Sequence, residues 1–329
     1  MRKTWIIPSL VAIVALSACA PAAEPVETAV PQASATSTPE PEPTGPERVF
    51  GGDCAGLASV DAVSAVVGAP LTLQVLPWRF EAGYVAIGQF GGIHCVWSSG
   101  VWGDAETAYL SVVVLPTRSI AEAVEHTLSC ESDYCDFGAT VAGFEIYGSV
   151  SGPTDPSAMA TTLTARFSEA LTAQPVPDAY SPADAWAPQV DCASLDPAGS
   201  IGTVLGDPSI KGYPYGGDAE GNRGFYVANR ASGLTDCSWY SETDRAAPSA
   251  EADLLPGGAW VYDEIAATAG ATPVTVPGLD RGLVVENTFY GFSGSNRIAV
   301  TLDSRGTAVT IDQLYPALAA IAADLTSRG

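Results

Sequence analysis

The feature that most constrains this chain is a set of landmarks that occurs twice in the same order. Asp53-Cys54-Ala55-Gly56-Leu57 returns as Asp191-Cys192-Ala193-Ser194-Leu195. Fourteen residues beyond each cysteine stands a glycine after apolar residues, Gly68 and Gly206, with Pro70 and Pro208 close behind. Cys95-Val96-Trp97 is matched by Cys237-Ser238-Trp239, and Pro116 and Pro256 close the next apolar stretch in each case. Repetition in this order predicts two tandem copies of one domain. We place them at residues 48–175 and 187–329, joined by a linker at 176–186. At roughly 130 residues each, both can bury a core.

The repeat also orders the cysteines. It pairs Cys54 with Cys95 and Cys192 with Cys237, one clasp per domain, and leaves Cys130 and Cys135 to close a small loop. Closing a loop of about 40 residues stabilises a domain by a few kcal/mol in the chain-entropy model. The alternative for Cys130 and Cys135 is a free thiol pair acting as a switch, although their spacing is not the redox C-x-x-C.

Local patterns supply the elements. Val60 to Val67 has helical spacing, with Ser59 placed to cap its start and Gly68 to stop it. Val85 to Phe90 and Ile93 to Ser98 flank Gly91-Gly92 and predict a hairpin. Tyr109 to Leu115 and Phe144 to Val150 read as strands. Ser119 to Leu128 reads as an amphipathic helix, and longer helices close the copies at Pro156–Thr172 and Val309–Thr326. The expected class is α+β: two similar domains, each an antiparallel sheet with helices on one face.

Disulfides require an oxidising compartment, and the N-terminus directs the chain to one. Arg2 and Lys3 precede an apolar run from Thr4 to Ala15, and small residues then lead to Cys19. That is the layout of a secretory signal, with a run too short for a span of about 20 residues. Leu16-Ser17-Ala18-Cys19 resembles the lipobox of bacterial lipoproteins. The resemblance implies cleavage after residue 18, lipid on Cys19, and attachment to the outer face of the cell membrane. An ordinary signal peptide with an unmodified cysteine is the alternative.

Residues 19–47 follow as an acidic, Pro-rich tether, in which Val26 and Val30 are the only apolar residues beyond Cys19 that are larger than alanine, proline apart. Such a segment cannot offset its ordering entropy by burial, and in polyproline form it extends up to about 90 Å. The chain has 14 basic and 37 acidic residues. Loss of residues 1–18, which hold Arg2 and Lys3 and no acid, leaves Lys211 as the last lysine. So acidic a chain repels phosphate backbones and anionic headgroups, which excludes nucleic acid as a partner and assigns membrane attachment to the lipid.

The D-C-x-x-L opening, the glycine ending the first helix and the C-x-W strand resemble a family of actinobacterial cell-envelope lipoprotein domains of unknown function. They are distantly similar to the extracellular sensor domains of mycobacterial-type serine/threonine kinases. The resemblance implies the α+β fold, the envelope location and a ligand-binding role, and it supplies no catalytic residue.

Residue chemistry agrees with a non-enzymatic reading. The histidines are His94, on a strand, and His126, on the polar side of the predicted helix. No G-x-S-x-G elbow, H-E-x-x-H or phosphate loop is present, and no cofactor or metal is expected. Gly217 to Asn222 begins like a calcium loop but has Arg223 where glycine is required, so it reads as a hairpin tip. Most carboxylates read as solvated charge. Trp97 and Trp239, beside clasp cysteines, read as core. Trp78, Trp102, Tyr213 and Tyr215 lie among Gly, Pro and charged residues and are the candidate ligand-binding residues. Three functions are therefore carried forward: a binding or sensing lipoprotein for an envelope ligand or protein partner, a structural subunit of an envelope complex, and a carboxylate-dependent wall hydrolase.

Overall fold

A computed structural model describes residues 45–328, apart from 76–79, 101–106, 121–125, 127, 188–190, 197, 215–222 and 245. The expected signal peptide, Cys19 and nearly all of the tether lie outside the described residues, as do Trp78, Trp102, Tyr215 and the Gly217–Asn222 loop.

In the first half, α1 (Cys54–Leu57) and α2 (Val60–Val67) precede β1 (Thr72–Leu73), α3 (Ala82–Gln89), β2 (Ile93–Ser98) and β3 (Tyr109–Pro116). The strands β4 (Ser129–Cys130), β5 (Tyr134–Val141) and β6 (Phe144–Ser151) lead into α4 (Pro156–Thr172). Local chemistry sets these bounds. The Ser59 hydroxyl accepts the Ala62 N–H at the start of α2, and Gly68 ends it at φ 79°, which a side chain would oppose. Asp155 caps α4, whose first residue is proline.

The second half runs α5 (Cys192–Leu195), α6 (Ser200–Val204), β7 (Tyr213–Pro214), α7 (Arg223–Ser232), β8 (Thr235–Trp239) and β9 (Ser249–Leu255). It continues through α8 (Tyr262–Ala266), β10 (Thr272–Pro273), β11 (Arg281–Val285), β12 (Thr288–Ser293), β13 (Asn296–Asp303) and α9 (Tyr315–Arg328). Thr310 and Gln313 form a capping box ahead of α9.

Both sheets are antiparallel. The first has the order β1-β2-β3-β6-β5-β4 and the second β7-β8-β9-β13-β12-β11-β10. Three disulfides form: Cys54–Cys95, Cys192–Cys237 and Cys130–Cys135. The first half thus carries two bridges and the second one, rather than one in each.

Two expectations are corrected. Val85 to Phe90 is not a strand: Ala82–Gln89 is the helix α3. This helix is buried on nearly every side, so it has no polar stripe to reveal its period. It is also pressed closely by its neighbours. A Cβ at Gly83 would lie 2.9 Å from Phe225, and one at Gly88 would lie 2.8 Å from Trp260. The second correction concerns the layers, because helices cover both faces of each sheet. On β3, Leu110, Val112 and Val114 enter a core with Leu163 and Phe167 of α4, whereas Val113 and Leu115 enter a different core. An unbroken apolar run is what a strand buried on both faces requires. The predicted helix Ser119–Leu128 falls largely outside the described residues; Thr117–Ser119 is a single 3₁₀ turn.

That different core joins the halves. Val85, Ala86 and Ile87 of α3 and Val227 and Ala228 of α7 pack with Val113, Leu115 and Tyr147 of the first sheet and Leu255, Leu283 and Phe292 of the second. The connecting segment is also packed, with Trp186 buried in the second half's own core and the Tyr180 N–H donating to the Gln89 carbonyl. Helical layers and shared apolar packing thus fill the space between the two sheets.

Candidate functional site

The clasp on β8 decides which side chains form the site. Cys237 must point toward Cys192, and with Trp239 it enters the second core opposite Ala250, Ala252 and Leu254. Alternation then places Asp236 and Ser238 on the other face. Their cross-strand partners are Asp253 and Glu251. On β13, Ile298 and Val300 enter the second core, which turns Arg297 to the acid face as well.

Arg297 is 0 % exposed. Its Nη2 donates to the Phe80 carbonyl at 2.6 Å and lies 4.0 Å from Asp253, and the Tyr290 ring lies 5.5 Å from the guanidinium carbon. Its Nε and Nη1 have no partner, and neither has Asp236 Oδ1. Burial pushes the Asp236 carboxyl up to about 9, with further upward pressure from the Asp253 charge and the hydrogen bond between them. At neutral pH Asp236 is therefore protonated and can donate to the Asp253 carboxyl. Desolvation, then the Asp253 charge, raises Glu81 at the start of α3 to about 7, and Arg297 opposes the shift. Glu251 is raised for the same leading reason, burial, followed by the charges of Asp253 and Asp303.

Ser238 and Glu251 extend this face into a cleft of about 750 Å³, lined also by Pro214, Tyr240, Glu242, Asp244 and Arg305. Tyr240 is 44 % exposed, and its ring lies 5.7 Å from that of Tyr213, which is 39 % exposed. Of the four aromatic residues singled out from sequence, Tyr213 is the one that can be placed. It stands on the strand β7, directly across from Ser238 and on the same face.

A smaller cavity of about 270 Å³ opens at the edge of the shared core, between Gln74, Tyr84 and His94 of the first half and Trp260 and Glu264 of the second. His94 Nε2 meets the Ser111 hydroxyl at 2.9 Å, and the rings of Tyr84 and Phe225 lie 5.0 and 4.8 Å away. Burial lowers His94 to about 3, so the imidazole is neutral. His126 is not a solvated residue. Its Nε2 bonds the Glu145 carboxylate, which also accepts from Thr140, and its ring packs near Tyr147.

Asp236 and Asp253 were counted from sequence among the solvated carboxylates, and Arg297 was not singled out. The available signals were an acid directly before the clasp cysteine and acids alternating with alanine in Glu251-Ala252-Asp253. Among the described residues, no three His, Cys, Asp or Glu side chains are arranged to hold a metal ion, and no helix is long and apolar enough to cross a membrane. No protein-family model, curated protein or solved structure matches this chain.

Proposed function

We propose that this chain is a lipid-anchored envelope protein built from two copies of one clasped α+β domain, with a non-catalytic binding role centred on the β8/β9 cleft. The lipobox-like Leu16-Ser17-Ala18-Cys19 supports the anchor. Changing Cys19→Ala is expected to move the protein from the membrane fraction to the soluble one. The duplication is supported by register as well as by sequence. Cys95 pairs with Val112 and Cys237 with Ala252, each on the second strand of the same order, and each clasped to a short helix that opens with Asp-Cys.

The observation that carries the binding reading is the cleft itself: about 750 Å³, within the range of small-molecule sites, with an exposed tyrosine in its lining. The test is native mass spectrometry of the full chain, purified from its host envelope with disulfides intact. A reproducible small-molecule adduct that is lost in Tyr240→Ala supports the reading. A bare mass in both proteins counts against a tightly held ligand and favours a protein partner.

One observation favours the hydrolase reading, namely two cross-strand carboxyls beside the cleft, Asp236 and Asp253, of which Asp236 is held protonated at neutral pH. If it is right, wall-polymer fragments are cleaved and Asp253→Asn stops the cleavage. Unchanged fragments after prolonged incubation dispose of it.

A further inference from the structure

The cleft's lining is charged on one side of the balance. Glu242, Asp244 and Glu251 all line it and are exposed. The one basic residue described in the lining, Arg305, bonds the Asp303 carboxylate at 2.9 Å, so its charge is already answered. Acids alone would only gather cations diffusely, and two further observations localise the effect. Tyr240 presents an exposed ring beside these acids, backed by Tyr213, and a ring face next to a carboxylate attracts a cation rather than an anion. Ser238 is 6 % exposed, its hydroxyl has no partner, and it stands directly across the strands from Glu251 on the same face. A buried hydroxyl beside a carboxylate is completed by a ligand that brings N–H donors.

We infer that the cleft recognises an organic cation carrying a primary ammonium group, held between the Glu251 carboxylate, the Ser238 hydroxyl and the Tyr240 ring. This rests on the reading of the cleft as a binding site and names the class of ligand. Two consequences follow from the geometry. A primary ammonium offers three N–H donors to Glu251 and Ser238, whereas a quaternary ammonium offers none and can use only the ring. The tyrosine acts through its face, so phenylalanine serves there as well.

Calorimetric titration of the full chain in detergent, disulfides intact, tests this with three probes: 1,5-diaminopentane, tetramethylammonium and N-acetylglucosamine. The expected result is saturable binding of diaminopentane at one site and weaker binding of tetramethylammonium. Tyr240→Ala should cost about five- to tenfold in affinity, with Tyr240→Phe close to the parent. Glu251→Gln should lower affinity by at least as much, while the remote pair Glu131→Gln and Asp133→Asn leaves it unchanged. Equal losses from the remote pair would show diffuse attraction only and overturn the proposal. Tyr240-dependent binding of N-acetylglucosamine without diaminopentane would overturn the ligand class while leaving the cleft as a binding site. If no probe binds but the envelope adduct persists in the mass spectrum, the cation class fails alone. If the adduct is absent too, the binding reading fails with it.

Discussion

The two sheets can be compared position by position, because each is registered against its own clasp cysteine. Asp236 of the second sheet occupies the place of His94 in the first, Asp253 that of Val113, Glu251 that of Ser111, and Arg297 that of Glu145. All of these side chains lie on the face turned away from their own half's core. In the first half that face holds a neutral histidine on Ser111, its Nδ1 unpartnered, and Glu145 shared by His126 and Thr140. In the second it is an acid pair over a buried arginine, with free hydrogen-bonding atoms, continuing into a cleft. The two faces therefore differ in their electrostatics, and the acid-rich one is the one with the larger opening.

The comparison can be broken first at the clasps. Removing Cys54–Cys95 or Cys192–Cys237 by paired Cys→Ala changes should cost about 4 kcal/mol each, since the loops of 41 and 45 residues are nearly equal. The same change at Cys130 and Cys135, which closes a loop of 5, should cost about 2 kcal/mol. Chemical denaturation measures all three, and a large inequality between the two clasps would mean that the halves do not share a folding logic.

The next effect is at the matched charged positions. Arg297→Met removes the cation beside the half-buried Asp253 and the hydrogen bond to the Phe80 carbonyl, and should destabilise by about 2 kcal/mol. Glu145→Gln keeps acceptors for Thr140 and His126 and should cost about 1 kcal/mol. Equal losses would erase the distinction drawn between the faces.

Protonation gives the sharpest contrast, because the signs oppose. The folded state raises Asp236 from its ordinary 3.8 to about 9. Between those values the folded chain holds a proton the unfolded one has released, so this group's contribution falls as pH rises through the window. His94 is lowered from 6.5 to about 3. Between those values the unfolded chain binds the extra proton, so this contribution is complete above pH 6.5 and is lost as pH falls. Asp236→Asn, which keeps a donor to Asp253, should therefore stabilise at pH 8 by on the order of 2 kcal/mol and have little effect near pH 4. His94→Gln should flatten the acid limb alone. Melting temperatures across pH 4–9 check both, and a mutant that flattens the wrong limb refutes its assignment.

The smallest expected effect is at the cleft itself. Tyr240→Ala should change stability by no more than about 0.5 kcal/mol, as a surface residue outside either core. A larger loss, measured by the same denaturation, would mean that the tyrosine holds the fold rather than a ligand.

Local chemistry was legible in the sequence wherever a single element decides it. The cap at Ser59, the stop at Gly68, the span of α4 and both clasps are settled within a few residues or by the repeat. The helix α3 was not legible, because Val85, Ala86 and Ile87 are buried by the other half and leave no polar stripe. Arg297 and Asp236 were missed for the same reason: a charged residue on an alternating strand reads as solvated unless the covering layer is known. Tyr213 was legible as a loop-edge aromatic, but its partner Tyr240 and the cleft they border depend on the pairing of β7 with β8.

The most direct test of the binding account is hydrogen–deuterium exchange of the full chain, with and without the small-molecule fraction of its host envelope. The account predicts added protection in peptides spanning Thr235–Trp239 and Ser249–Leu255 and none in the matched strands Ile93–Ser98 and Tyr109–Pro116. Equal protection in both halves, or protection confined to the first, would contradict it.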